Sequence, residues 1–594
     1  GNMRVDRQDI HSDWKVIKER KEDGSYFNMD RDDGMGGRSR VEEASYKTNY
    51  YNTNIYTKYN FSLNEDHHFD LLAGFQAELN KYKSISAARD GLISEDVPTL
   101  GNTTSNTQFN MDSNMNEWAT AGFFGSINYD FKGRYLLEVK YRYDGSSRFL
   151  RNQRWKHYPS VSMAWNVAHE SFMQPFNDVL GTLKLRGSYA SLGNQNTNDI
   201  YPFFPSMGLG MGNGSWLLNS KRPNTANPPA PISPLLTWEK VTSYDLGLDF
   251  GLFGNRLVGT FDYFWRNTNN MVAPGEELPN TAGVSSPYTN NAKMRTKGWE
   301  LSVSWRDKLS NGLGYGATLV MSDAMSTILS YPNETNNISK YYRGRKLGEI
   351  WGYETNGLAK TDEEMKSHLA SLPNGGQNAL GTNWAAGDIM YKDLNGDGKI
   401  DGGQGVLGNT GDRKVIGNET PRYNFGLTLN AEYKGFDFRI FFQGTLKRDK
   451  WLTGLNMWGA DGGYWQSTCL KENMDYFRPA DTDSYFGPNV NGYLPRPLLG
   501  ASANNNKQVN SQYLQDASYM RCKNIQLGYT FPKQWISNWG LQNMRMFVSA
   551  ENLFVITGLK AGAYDPEVLD GYAAGSGKAA PLKTAISFGL NVSL

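Results

Sequence analysis

Residues 422–433 place Tyr423, Phe425, Leu427, Leu429, Ala431 and Tyr433 on one parity, and Arg422, Asn424, Gly426, Thr428, Asn430 and Glu432 on the other. Successive side chains of a strand point to opposite faces, so this segment predicts a strand with one apolar and one polar face. Lys434-Gly435 predicts a tight turn, because Gly takes positive φ at no steric cost. Phe436, Phe438, Ile440 and Phe442 then alternate with Asp437, Arg439 and Gln443, and Phe441 alone breaks the pattern. One such hairpin fits any half-buried sheet. This chain repeats the pattern from end to end, as in Ile127, Tyr129 and Phe131 against Asn128 and Asp130, or Ile586, Phe588, Leu590 and Val592 against Ser587, Gly589 and Asn591. A chain amphipathic in this way throughout turns its apolar face to lipid and its polar face to a wet lumen, as a transmembrane β-barrel does.

Read in order, strand patterns cover 46–62, 68–79, 125–131, 135–143, 158–168, 182–192, 244–250, 257–266, 299–306, 312–323, 421–433, 436–445, 525–531, 545–557 and 586–594. Trp14 to Ile17 reads as one more, which predicts about fifteen or sixteen strands. The connections alternate. Those near 63–67, 132–133, 253–255, 307–311, 434–435 and 532–541 are short. Those between them are long and polar, including a Ser/Thr/Asn-rich loop to about 117, an insertion over 326–420 and an aromatic-rich loop over 446–512. Short turns at one end and long loops at the other characterise outer-membrane barrels. A secreted β-sandwich has no reason to keep one end of every hairpin tight.

The bulk numbers fit this reading. No window approaches the ~20 apolar residues a spanning helix needs, but a barrel turns only every second residue to lipid. Aromatic residues make up 13% of the chain, which suits girdles at the two membrane interfaces. Lys+Arg at 61 against Asp+Glu at 60 gives no reason to propose nucleic acid as a partner. Cys469 and Cys522 could pair or stay free; two cysteines are too few for a disulfide-stapled fold.

Several segments resemble the SusC/RagA family of TonB-dependent outer-membrane transporters. They are residues 128–149 (NYDFKGRYLLEVKYRYDGSSRF), 183–195, 236–248, 259–267, 293–301, 387–401, 416–427 and 519–531, with Tyr564-Asp565-Pro566-Glu567 near the end. They span the chain in family order. The resemblance implies that residues 1–594 form the C-terminal portion of a 22-stranded barrel. It also implies an N-terminal plug and a TonB-binding segment upstream of Gly1, and a SusD-like surface lipoprotein over the outer mouth. The expected function is active import of oligosaccharides or oligopeptides. A surface adhesin or scaffold is the alternative, and an enzyme is not expected.

The sharpest local motif is Asp393-Leu-Asn395-Gly-Asp397-Gly-Lys399-Ile-Asp401. Asp393, Asn395, Asp397, the Lys399 carbonyl and Asp401 match the oxygen positions that open an EF-hand Ca²⁺ loop. Gln404 stands where the closing Glu would be, so a structural Ca²⁺ of weak affinity is one expectation and an ion-free Asp/Asn/Gly turn the other. Flat aromatics in the loops (Trp216, Trp351, Trp458, Tyr464 and Trp465) are candidates to stack on sugars or peptide side chains, or else to pack the loops themselves. The six histidines are scattered, and no Gly-x-Ser-x-Gly, Walker or His-Glu-x-x-His motif is present.

Overall fold

The computed structural model describes residues 2–15, 18–20, 25–28, 39–104, 109–176, 178–197, 199–210, 212, 214–226, 229, 231–459, 470–498, 504–562, 564–570 and 579–593. Among the described residues sixteen strands form one antiparallel sheet in strict chain order. They are β1 (Asn2–Trp14), β2 (Arg40–Leu63), β3 (His67–Asp90), β4 (Phe109–Phe131), β5 (Tyr135–Ser146), β6 (Trp155–Asn166), β7 (Leu180–Asn194) and β8 (Glu239–Leu252). The series continues with β9 (Leu257–Pro274), β10 (Tyr288–Lys308), β11 (Gly314–Ser330), β12 (Arg422–Tyr433), β13 (Phe436–Lys447), β14 (Tyr519–Thr530), β15 (Asn543–Thr557) and β16 (Ala585–Ser593). Among the described residues no helix is long and apolar enough to cross a membrane.

The hairpin that organised the sequence pairs Tyr433 with Phe436, and its Lys-Gly turn has both residues left-handed, at φ 46° and 90°. The turn at Lys132-Gly133 does the same, at 58° and 64°. Left-handed pairs of this kind match the twist of the strands they join.

Three strands outrun the apolar pattern. The sequence predicts strands over 46–62 and 68–79 and a loop to about 117, whereas β2 and β3 run in register from Leu63↔His67 to Arg40↔Asp90 and β4 resumes at Phe109. Above the lipid both faces meet water. The ladder persists there without apolar alternation to announce it. The strand expected over Trp14 to Ile17 is instead Asn2–Trp14, and Val16 and Ile17 lie outside the described residues.

Ring contacts mark two membrane interfaces. Near the short turns, Tyr59, Phe61, Phe69 and Tyr129 succeed one another at centroid spacings of 5.5, 4.9 and 4.9 Å, and Phe131, Tyr135 and Trp165 continue the belt at 6.3 and 6.5 Å. Towards the long loops, Tyr143 stacks on Trp155 at 5.0 Å, and Tyr189, Tyr244 and Trp265 follow at 5.3 and 5.2 Å. Tyr135 and Tyr143 lie on one strand, separated by roughly 27 Å of chain, or about 20 Å of height once tilted, close to the ~25 Å apolar band of such barrels.

At the long-loop end, the described residues of 331–421, 448–518 and 558–584 contribute to one packed head. Its core holds Ile389, Tyr391, Ile400, Leu452, Met457, Tyr513 and Leu569, each at most 2% exposed. Two short sheets stiffen it: Glu349–Tyr353 with Arg413–Asn418, and Thr355–Leu358 with Ile389–Tyr391. Helix α1 (Asp362–Ala370) completes it. The Thr361 hydroxyl caps the helix by accepting from Glu364 N at 3.2 Å, and Asp362, Glu363 and Glu364 complement its positive end.

Candidate functional site

The polar face of the sheet carries matched charges. Arg186 on β7 donates to both Asp249 oxygens, on β8, at 3.0 and 2.9 Å, and lies 2.9 Å from Asp262 on β9. Gly247 makes this reach feasible, since a Cβ there would fall 2.4 Å from Asp262 Oδ1 and 2.6 Å from Arg186 Cζ. Arg545 on β15 likewise crosses β14 to Asp437 on β13, at 2.9 and 2.5 Å, over Gly528. A neighbouring recess is lined by His68, Asp70, Asn128, Glu138, Lys184 and Arg186. This wall offers hydrogen bonds to a polar solute, with Arg186 and Arg545 each matched by carboxylates.

Of the loop aromatics singled out by sequence, the structure brings few to a common surface. Trp458 is 9% exposed and wedged between Trp451 and Tyr513, at 5.9 and 5.2 Å. Trp351 sits in the short sheet opposite Val415, edge-on to Tyr342. Trp216 is 60% exposed in the loop between β7 and β8. Tyr464 and Trp465 lie outside the described residues, as does Cys469; Cys522 is a buried free thiol on β14. Sequence reasoning passed over Tyr485 and Phe486, an edge-to-face pair 97% and 56% exposed at the head surface. Their dipeptide has no periodicity to distinguish it from ordinary loop filler.

In the Asp393–Asp401 segment the side-chain oxygens cap the loop's own amides. Asp393 accepts from Gly396 N and Gly398 N at 2.6 and 2.9 Å, Asn395 from Asp397 N at 2.9 Å, and Asp401 from Gly403 N at 2.7 Å. The Lys399 ammonium lies 2.6 Å from Asp401. Behind the loop stands the fully buried Asp412, unremarked in the sequence, accepting from Leu394 N and Asp401 N at 2.8 and 2.9 Å. Burial pushes its carboxyl pKa up, against those amides and with the help of nearby Asp393. Among the described residues no group of three or more carboxylate, imidazole or thiol side chains is gathered for a metal.

The Tyr564-Asp565-Pro566-Glu567 segment straps the last long loop to the barrel. Asp565 meets Arg521 at 2.5 Å, Glu567 meets Lys523 at 2.8 Å, and Tyr564 donates to Thr453 O at 3.0 Å.

A family model described as TonB dependent receptor-like, beta-barrel, matches residues 6–553. TonB-dependent receptor P3 of Formosa agariphila is 28% identical over 554 residues, which cover 90% of this chain and 50% of that protein. TonB-dependent receptor SusC of Bacteroides thetaiotaomicron is 26% identical over 483 residues, covering 80% and 43%. Among solved structures, that of the RagAB peptide transporter superposes with a TM-score of 0.74 at 20% identity, over 99% of this chain and 59% of that one. The chain thus spans about half the length of the curated relatives it matches. With sixteen antiparallel strands in chain order, an apolar face between two aromatic belts and a family match from residue 6 to residue 553, this chain belongs to the TonB-dependent receptor β-barrel family of outer-membrane proteins, whose members are transporters and receptors rather than enzymes.

Proposed function

We propose that this chain supplies the barrel of an active importer of oligosaccharides or oligopeptides, paired with a SusD-like surface lipoprotein and energised through TonB. The family match over most of the chain carries the reading. It is supported by similarity to the receptor SusC and by a fold shared with the RagAB peptide transporter. The charge-matched lumen wall suits passage of a polar solute. The packed head suits a fixed rim on which a lid could seat. Trp216, Tyr464 and Trp465 are the aromatic positions proposed to meet the substrate, and Trp351 and Trp458 act indirectly by holding the head's shape. Protein extracted from its membrane in mild detergent is expected to bring down one lipoprotein in stoichiometric amount, with glycan or peptide detectable by mass spectrometry. A barrel recovered alone and without ligand overturns the importer and leaves a surface scaffold.

We also propose a structural Ca²⁺ at Asp393, Asn395, Asp397, the Lys399 carbonyl and Asp401. The donors are the hard oxygens calcium takes, and a cation would answer the charge that Asp412 and Asp393 bring together. Binding would require the Lys399 ammonium to leave Asp401. For a Kd of ~10⁻⁴–10⁻³ M, 10 mM Ca²⁺ would stabilise the folded head by about 1.4–2.7 kcal/mol. The expected result is a calcium-dependent rise in the head's melting temperature that Asp393→Asn with Asp397→Asn abolishes. An identical melting curve in calcium and in chelator rejects the ion.

A further inference from the structure

The outward face of the barrel changes character just above the outer aromatic belt. On β10, Arg295 and Lys297 share the outward parity of Trp299, Leu301, Val303 and Trp305, and the exposed Lys293 follows two residues on, past a register shift against β11. The parity is secured by Lys297 pairing with Trp265, a member of the belt, and by the opposite-parity Thr296 and Ser326 hydroxyls meeting each other at 2.7 Å. Arg295 Nε donates to the Asn267 amide oxygen at 2.7 Å, which fixes the stem and leaves the rest of the fork outward. Lys293 and Lys297 are exposed, and among the described residues none of the three cations is ion-paired with a carboxylate.

The placement recurs on the far side of the sheet. Arg7, Lys47 and Lys83 occupy one cross-strand row, through the pairs Arg7↔Lys47 and Lys47↔Lys83. Their parity is that of Tyr51, Tyr59 and Phe61 on the lipid face, and no register shift intervenes. Arg7 contacts Asp9 at 2.9 Å, whereas Lys47 and Lys83 are exposed and among the described residues have no ion-pair partner. Like charges set directly opposite each other destabilise a sheet, so the facing Lys47 and Lys83 hold repulsion that an anion would relieve. Lys47 stands four residues beyond Tyr51, roughly 10 Å higher on a tilted strand, and Lys297 and Lys293 stand about 5 and 16 Å beyond Trp299. That is headgroup depth.

We propose that these two clusters are docking sites for the phosphate groups of outer-leaflet lipid, forming a cationic collar that holds the barrel's outer rim at a fixed height. Hydrated ammonium groups and an oriented guanidinium suit phosphate oxygens, and the belt directly below places the lipid's acyl chains against Trp265, Trp299 and Tyr51. On the lumen wall Arg186 and Arg545 are matched by carboxylates. Lys47, Lys83, Arg295 and Lys297, which have no carboxylate partner among the described residues, stand on the face that meets lipid.

The test titrates detergent-solubilised protein with bis-phosphorylated lipid A in mixed micelles, and with the same lipid A after dephosphorylation. The wild type is expected to prefer the phosphorylated form, the more so at low salt. Lys47→Gln with Lys83→Gln, and separately Lys293→Gln, Arg295→Gln and Lys297→Gln together, each reduce that preference by tenfold or more, at about fivefold per charge removed. Lys366→Gln, on exposed α1, leaves the preference unchanged. All variants must show wild-type heat-modifiable mobility on gels, which separates lost docking from lost fold. No preference for phosphate in the wild type, or full preference in both multiple variants, overturns the proposal. So does unchanged lipid binding with loss of a co-purifying protein, which would assign the clusters to an acidic partner.

Discussion

Replacing Arg521 with Ala is expected to lower the unfolding free energy by about 3–5 kcal/mol, the cost of removing one partner from a buried ion pair. Arg521 and Asp565 have side chains only 4% and 6% exposed and meet at 2.5 Å, and Glu567 approaches Arg521 Nε at 2.8 Å as a charge contact rather than an aligned hydrogen bond. Asp565 also accepts from Glu567 N and Leu582 N at 3.0 Å each, so it cannot swing out to water without opening the strap. With Arg521 gone, two carboxylates remain together, and Lys523 can answer only Glu567. Adding Asp565→Asn and Glu567→Gln to Arg521→Met removes the orphaned charges and is expected to restore most of the loss. Urea unfolding of barrel refolded into detergent, followed by tryptophan fluorescence, reads both. A loss below about 1 kcal/mol for the single variant, or no recovery in the triple, rejects the strap as a buried electrostatic clamp.

The same residue shows how far the sequence could be read. Alternation outward from Ile525, Leu527 and Tyr529 would put Arg521 on the lipid face. The ladder shows why it is not there: Asn524 pairs with Phe441 but Cys522 pairs with Phe442, so Lys523 is a bulge that exchanges the faces beyond it. A bulge is one extra residue and leaves no compositional trace. The strands between the belts were legible, because lipid on one side and water on the other impose period two. The upper halves of β2, β3 and β4 were not, because water on both sides imposes nothing. The head was legible only as long loops. Its core gathers Tyr391, Leu452, Tyr513 and Leu569 into one cluster from segments far apart in the chain, which no local pattern encodes. For the same reason Trp458 read equally well as a ligand platform or as packing, until Trp451 and Tyr513 were seen to enclose it. The Asp393–Asp401 motif was visible as a string of oxygens, but Asp412, the buried carboxylate that holds it from behind, lies outside any motif.

The two faces of β10 make the strongest test of the barrel. Leu301 and Ser302 are adjacent, yet Leu301 is aligned with Phe261 and Met321, and Ser302 with Thr260 and Val320. Leu301 lies midway between Lys297, level with the outer belt, and Trp305, whose ring meets Phe253 at the short-turn end. Leu301→Arg therefore sets a guanidinium near the middle of the hydrocarbon, at an expected cost of about 2–4 kcal/mol. Ser302→Arg points the same group into a wet lumen already lined by Asp262 and Glu300, where the cost is expected to stay below about 1 kcal/mol. The comparison, made by equilibrium unfolding in lipid bilayers, cancels everything the two substitutions share: strand, depth and side chain added. Equal costs would mean that both faces are wet, as in a soluble sheet. A reversed order would put the charge-matched wall of Arg186, Asp249 and Asp262 against lipid, where the proposed import path could not run. The expected order leaves that wall facing the lumen, and under the proposed import function Arg186 is the first lumen residue whose replacement should alter what the barrel admits.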